Sequence, residues 1–140
     1  MSFKSDFPLF SKHPHLTYLD SASTSQKPSY VIDHIADYLS YHNSNIHRGI
    51  YDLAIDSEEF YQSSKKKAGK LINTSAKHII YSYNATMCFN LLAQSLWQSQ
   101  VLQSGDHVIV SIAEHHANIV PWQMLAKQDI IIDRVRLTDS

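Results

Sequence analysis

Apolar residues in the second half of the chain alternate between strand-like runs and helical spacing. Short apolar runs predict strands over residues 78–82, 107–111 and 130–135. Between these runs, apolar residues that recur every three or four positions predict helices over 87–100 and 119–127. Strands that alternate with helices favour right-handed crossovers. We therefore expect an α/β fold with a parallel βαβαβ sheet.

The first 27 residues lack a helical or strand period and are predicted to form an irregular arm. Pro8 and Pro14 interrupt any helix in this arm, and only residues 17–19 are strand-like. The small polar run 21–25 follows. Its backbone can lie close to another group, so this run is either a flexible loop or a segment that lines a site.

Two helices are predicted between the arm and the sheet. Pro28 opens the first, which ends near the turn-forming residues 42–45. The second begins at residues 56–59, where Asp56 or Ser57 can cap the helix and the two glutamates suit its positive end. It is predicted to bury one stripe of side chains, namely Phe60, Ser64, Ala68 and Leu71. The chain is thus predicted to be an arm (1–27), a helical segment (28–76) and the start of a parallel sheet (77–140).

Charge and composition narrow the class of protein. Twelve basic against 13 acidic residues give a net charge of −1, which does not provide the basic surface that nucleic-acid binding needs. Residues 65–67 are read as a solvated cationic helix face. No apolar run approaches the ~20 residues of a membrane span, and no secretory segment is predicted from the first ten residues. The single cysteine, Cys88, is expected to be a small buried residue, and a cytoplasmic location is expected.

Polar residues follow two of the predicted strands, and the carboxyl ends of parallel strands share one edge of a sheet. The segments 84–86 and 114–116 are therefore expected to lie together, where α/β sheets bind ligands. At a helix start, the N–H groups of Ala85 and Thr86 and the Thr86 hydroxyl would form an anion site suited to a phosphate. The three glycines of the chain form neither of the usual Gly-rich nucleotide loops.

The adjacent histidines His115 and His116 admit three interpretations: metal ligation, proton transfer, or stacking on a planar ligand. Metal is the weakest, because no further ligands cluster at a suitable spacing, and no metal site is predicted. In the loop before the second helix, Arg48 could bind an anionic group or form an ion pair with Asp52 or Asp56. We expect the ion pair.

Four stretches resemble one known family in the family's own order along the chain. They are YLDSAS (18–23), QKP (26–28), HRGIY (47–51) and EHHANIVPWQML (114–125). They are similar to the SufS-type cysteine desulfurases, a class V, fold-type I group of pyridoxal phosphate enzymes. The resemblance implies that the chain is the amino-terminal portion of such an enzyme's large domain.

The resemblance also implies roles for individual residues. His115 matches the catalytic histidine that stacks on the cofactor ring and assists proton movement. Thr86 and Ala85 match the residues that bind the cofactor phosphate. Ala22 and His47 match positions at the substrate end of the site.

The implied reaction converts L-cysteine to L-alanine and leaves the sulfur on the enzyme as a persulfide, for iron–sulfur cluster assembly. Pyridoxal 5'-phosphate is the implied cofactor and acts as an electron sink. The implied partners are a second copy of the chain, as a homodimer, and a sulfur acceptor of the SufE or SufU type.

The chain departs from the family at the phosphate turn. A Gly-Thr-Thr-Glu turn is replaced here by Asn84, Ala85, Thr86 and Met87. The family's cofactor-bonding lysine and sulfur-accepting cysteine match no residue present, so we expect these 140 residues alone to be inactive. Two alternatives stay open. One is a non-catalytic interaction or dimerisation fragment, and the other is a different class V enzyme such as a selenocysteine lyase.

Overall fold

The computed structural model describes residues 3–136 in two compact units. The first extends to Ile79 and the second begins at Ile80. Each unit has its own elements and packing. The first is helical, and the second contains the sheet.

The amino-terminal arm is more ordered than its sequence predicts. A 3₁₀ turn at Phe3–Asp6 leads into helix α1, Pro8–Lys12. Pro8 begins this helix rather than preventing it, because the first helical residue needs no N–H partner. The Lys4 ammonium donates to the carbonyl of Leu16 at 3.0 Å and so links the start of the arm to its middle. Within residues 3–136, the predicted strand at 17–19 does not form.

The helix predicted after Pro28 is present as α2, Ser29–Asp37, and continues as a π-helical turn, Tyr38–His42. Helix α3, Asp52–Leu71, follows and begins one turn earlier than predicted. The Ser57 hydroxyl on α3 donates to the carbonyl of His42 at 2.8 Å, and the Tyr38 hydroxyl donates to Ser57 at 3.2 Å. These two bonds join α3 to the π turn.

The predicted buried stripe of α3 is wrong. Phe60 is 51% exposed and Leu71 is 86% exposed. The buried residues of α3 are the small ones, Ala54, Ser57 and Gly69. Small side chains allow the helix to lie against backbone. A Cβ on Gly69 would sit 2.7 Å from the carbonyl oxygen of Thr74. The hydrophobic pattern missed this face because close packing here depends on size rather than on apolarity.

The second unit contains one βαβ arrangement. Helix α4, Ala85–Gln98, precedes strand β1, His107–Ser111. Helix α5, Val120–Leu125, connects β1 to strand β2, Ile131–Val135. The two strands pair in parallel, from His107 opposite Ile131 to Ser111 opposite Val135. The α/β class and the parallel sheet are confirmed.

The first of the three predicted strands is wrong. Residues Ala76–His78 form a 3₁₀ turn and residues 79–82 have no regular structure. The backbone at Ile79 is extended, with φ −91° and ψ 121°, as a strand would require. A strand also needs a neighbour for its hydrogen bonds. The described sheet consists of β1 and β2 alone, so residues 78–82 have no pairing partner in it.

The core of the second unit lies between the sheet and its helices. Its buried residues are Ala93, Val110, Trp122, Leu125 and Ile130. Cys88 is exposed, so its predicted burial is wrong. It precedes Ala93 by five residues and so lies on another face of α4. None of the helices in residues 3–136 combines the length and apolar composition of a membrane span.

Candidate functional site

Helix α4 begins with two amides that have no acceptor. The Asn84 side-chain oxygen accepts the N–H of Met87 at 2.9 Å and so caps the helix. The N–H groups of Ala85 and Thr86, in the first turn, have no acceptor among the described residues. Both residues are exposed, as is the Thr86 hydroxyl. A 14-residue helix whose positive end carries free amides and a hydroxyl is suited to a phosphate group.

Asn84 acts through its side chain rather than through its backbone. Its φ of −168° is extended, so the tolerance of Asn for left-handed angles is not used at this turn. The cap occupies the third helical N–H and leaves the first two available. The replacement of a family glycine by Asn84 is thus compatible with an anion site.

After β1, a 3₁₀ turn formed by His116–Asn118 follows Glu114 and His115. The side-chain amide of Asn118 donates to the Glu114 carboxylate at 3.0 Å, and its oxygen accepts the indole N–H of Trp122 at 3.0 Å. Trp122 is 7% exposed and belongs to the core. The sequence assigned no function to Asn118. The signal available in the sequence was its spacing, because Asn118 lies four residues from Glu114 and four residues from Trp122.

The His115 ring is held in one tautomer by the backbone. Its Nδ1 accepts the N–H of Ala117 at 3.0 Å. Because Nδ1 is the acceptor, the neutral ring carries its proton on Nε2. The side chain is exposed, and the ring meets that of His116 edge to face at 6.5 Å between centroids. His115 therefore presents an N–H donor and a ring face outside the core.

The helix that carries Thr86 packs against the turn that follows His115. Helix α4 contacts both the His116–Asn118 turn and α5. The predicted proximity of segments 84–86 and 114–116 was argued from two strand ends, and the strand before Asn84 does not form. Helix α4 does contact the turn, and the proximity of segments 84–86 and 114–116 themselves stays a prediction. Their roles toward a cofactor stay a prediction.

Ala22 and His47 lie in the first unit. Ala22 is exposed within a turn whose two ends are fixed by Asp20. The Asp20 carbonyl accepts the N–H of Ser23 and of Thr24, each at 3.2 Å, and its carboxylate accepts the Ser23 hydroxyl at 2.8 Å. The first part of this small polar run thus forms a hydrogen-bonded turn.

His47 is anchored to helix α3 by Glu58. The backbone N–H of His47 donates to Oε2 of Glu58 at 2.9 Å, and its Nδ1 lies 3.0 Å from the same oxygen. The other oxygen, Oε1, accepts the Gln62 amide at 2.8 Å. The bond from Gln62, followed by the bonds and charge from His47, lowers the pKa of Glu58. Sequence analysis did not single out Glu58.

The loop around His47 lies directly on α3. A Cβ on Gly49 would sit 2.1 Å from the Cβ of Ala54, so only glycine fits this approach. Arg48 is exposed and forms no ion pair with Asp52 or Asp56 within the described residues, so the expected pair is wrong. Residues 3–136 contain no group of three or more His, Cys, Asp and Glu side chains that could hold a metal ion.

Comparison with known proteins gives one consistent match. The sequence matches the family described as aminotransferase class V over residues 17–140. A probable cysteine desulfurase of Vibrio cholerae is 48% identical over 114 residues, covering 81% of this chain and 28% of that protein. A probable cysteine desulfurase of Synechocystis is 39% identical and covers 98% of this chain and 34% of that protein.

Two solved structures agree with this match. The apo cysteine desulfurase of Thermococcus onnurineus superposes with a TM-score of 0.84 at 26% identity, over 94% of this chain and 32% of that one. The cysteine desulfurase CsdA of Escherichia coli gives a TM-score of 0.78 at 33% identity, over 97% of this chain and 34% of that one. The 140 residues thus span about a third of the length of these proteins.

Proposed function

Because the chain belongs to the class V aminotransferase family, we propose that it forms part of a pyridoxal-phosphate-dependent cysteine desulfurase of the SufS type, with L-cysteine as substrate. The similar proteins named as cysteine desulfurases support this activity. The observation that carries the proposal is the start of α4, where the Asn84 cap leaves two amides without an acceptor.

The start of α4 would bind the cofactor phosphate. The N–H groups of Ala85 and Thr86 and the Thr86 hydroxyl are donors without an acceptor in the described structure. A dianionic phosphate gains hydrogen bonds from these donors and a favourable interaction with the helix dipole. This arrangement requires no Gly-rich loop.

His115 would lie against the cofactor ring. Its neutral imidazole is oriented by the bond from Ala117, so the ring need not lose rotational freedom when a ligand binds. The Nε2 proton then faces outward, where it can be donated to a reacting group. When bound, pyridoxal phosphate supplies an electron sink for bond cleavage in an amino acid.

Ala22 and His47 would line the substrate end. Ala22 stands in a turn of small residues, and His47 carries an exposed imidazole. The groups that bond the cofactor and accept the sulfur are expected from outside these 140 residues, so we propose that the segment alone does not turn over. The persulfide sulfur would pass to a SufE- or SufU-type acceptor for iron–sulfur cluster assembly. The enzyme itself would be a cytoplasmic homodimer.

The test is pyridoxal phosphate binding to the 140-residue chain, followed by ³¹P nuclear magnetic resonance of the phosphate. Thr86→Val keeps the side-chain shape and removes the hydroxyl, so it should weaken binding about tenfold or more, as for a lost bond to a charged group. Thr17→Val, at an exposed position in the arm, is the matched control and should change nothing.

Pyridoxal without its phosphate separates the two parts of the proposed site. Thr86→Val should leave pyridoxal binding unchanged, whereas His115→Ala should weaken the binding of both ligands. Equal binding of pyridoxal phosphate to wild type, Thr86→Val and His115→Ala would contradict the proposed site.

A further inference from the structure

One carboxylate oxygen accepts two donors from His47. Oε2 of Glu58 lies 2.9 Å from the backbone nitrogen and 3.0 Å from Nδ1 of that histidine. The remaining oxygen is bonded to Gln62 at 2.8 Å, which fixes the carboxylate on α3. The Tyr61 ring meets the imidazole edge to face at 5.5 Å between centroids. The His47 ring is thus oriented by three residues of one helix.

The backbone of His47 adopts a conformation that needs support. Its φ of 75° lies in the left-handed region, which residues with a Cβ adopt rarely. The bond from its N–H to Glu58 stabilises that conformation, and the contact of Gly49 with Ala54 fixes the loop two residues later. Both ends of the short segment 47–49 are therefore attached to α3.

The pairing also selects a tautomer. A carboxylate only accepts hydrogen bonds, so Nδ1 of His47 must carry the proton, and Nε2 of the neutral ring is left as an acceptor. His115 has the opposite assignment, because its Nδ1 accepts a backbone N–H. The side chain of His47 is 58% exposed. His47, Gly49, Ile55 and Glu59 border an open cavity of about 370 Å³.

We propose that Glu58 is a positioning residue for His47, which holds the imidazole as the Nδ1–H tautomer so that Nε2 accepts a hydrogen bond from an amino-acid substrate. An α-ammonium or a thiol is a donor of the required kind. The substrate part rests on the proposed function. The positioning part rests on the geometry of Glu58, Gln62 and Gly49.

The tautomer is measured by nuclear magnetic resonance of the imidazole nitrogens in the ¹⁵N-histidine-labelled chain at about pH 8.5, well above the ordinary histidine pKa of about 6.5. In wild type, His47 should be mainly the Nδ1–H form. In Glu58→Ala, the ratio of the Nδ1–H to the Nε2–H form should fall about two- to fivefold, as expected for an exposed pair. Glu58→Gln keeps an acceptor without the charge and should give an intermediate ratio.

Asp56→Asn is the matched control, because it removes an exposed charge on α3 that forms no described bond to His47 and does not border the cavity beside it. It should leave the ratio unchanged, and circular dichroism should report the same helix content in all variants. A wild-type ratio in Glu58→Ala would overturn the positioning role.

Addition of L-cysteine with pyridoxal phosphate then tests the substrate part separately. A shift of the His47 Nε2 signal supports it, and the shift should be reduced in Glu58→Ala but not in Asp56→Asn. An unmoved His47 signal with an intact Nδ1–H tautomer would contradict the proposed substrate end while leaving the effect of Glu58 established.

Discussion

The side-chain oxygen of Asn118 accepts the indole N–H of Trp122 at 3.0 Å, and the same amide donates to Glu114 at 3.0 Å. One side chain thus joins the turn after β1 to the buried core. Asn118→Ala leaves the indole N–H of a buried tryptophan without its partner. We expect a loss of about 1–3 kcal/mol in the free energy of unfolding, measured by urea denaturation.

Two further variants separate the bonds of Asn118. Glu114→Gln keeps an oxygen acceptor for the amide, and the pair is exposed, so the loss should stay below about 0.5 kcal/mol. Asn118→Asp keeps the acceptor for Trp122 and places a second carboxylate beside Glu114, so its loss should be intermediate at neutral pH. Equal losses in Asn118→Ala and Glu114→Gln would show that the indole bond does not stabilise the core.

Variants of Asn84 distinguish helix capping from anion binding at the start of α4. Asn84→Ala removes the acceptor of the Met87 N–H and should lower the free energy of unfolding by about 1 kcal/mol. Asn84→Asp keeps this cap and should leave stability near wild type. Its negative charge beside Ala85 and Thr86 should nevertheless weaken pyridoxal phosphate binding. Tight phosphate binding by Asn84→Asp would place the phosphate elsewhere.

Gly49 should tolerate no side chain while Ala54 faces it. A Cβ would lie 2.1 Å from the Cβ of Ala54, so Gly49→Ala must shift the loop and should cost about 1–3 kcal/mol in the free energy of unfolding. Ala54→Gly removes the opposing methyl group. The double variant should therefore lose less stability than the sum of the two single variants, which a double-mutant cycle measures. Additive losses would contradict this contact.

Glu58 predicts a pH dependence of stability with a defined sign. Its pKa is lowered in the folded chain, first by Gln62 and then by His47. Such a carboxylate stabilises the fold above its unfolded pKa of about 4.3, and the contribution is lost as pH falls through the lower folded pKa. The difference in unfolding free energy between wild type and Glu58→Gln should be smaller below about pH 4 than at about pH 5 to 6.

Gln62→Ala removes the largest of the contributions that lower this pKa. In a Gln62→Ala background, the stabilising effect of Glu58 should therefore be lost at a higher pH than in wild type. Denaturation between about pH 3 and pH 7 measures both curves. A Glu58→Gln difference that does not vary over this range would contradict the lowered pKa.

The sequence correctly predicted elements that depend on a local hydrophobic pattern. Its predictions were wrong where the structure depends on residue size or on a partner that is distant in the sequence. Strand β1 coincides with its prediction, and β2 begins one residue later than predicted, because each contains a short apolar run. The prediction of a strand at 78–82 was wrong because an apolar run carries no information about which strand would pair with it. The prediction for the buried face of α3 was wrong because Ser57 and Gly69 are buried there on account of their small size.

The candidate site divides in a similar way. The start of α4 could be predicted from the order of turn and helix residues, and the structure places free amides there. The bonds of Asn118 and Glu58 could not be predicted, because they depend on side-chain positions that only the folded backbone defines. The assignments of Ala22, His47, Ala85, Thr86 and His115 to a cofactor and substrate stay predictions, which the binding experiments test.

The parallel pairing of β1 with β2 closes over one crossover connection, which contains α5. Paired residues such as His107 and Ile131 are far apart in the sequence, and a parallel pairing of this kind forms slowly because the entropy of loop closure is lost before its contacts form. The buried core residues beside this sheet all fall between Ala93 and Ile130. We therefore expect the second unit to pair its strands in one cooperative folding step, at a rate limited by the closure of this crossover.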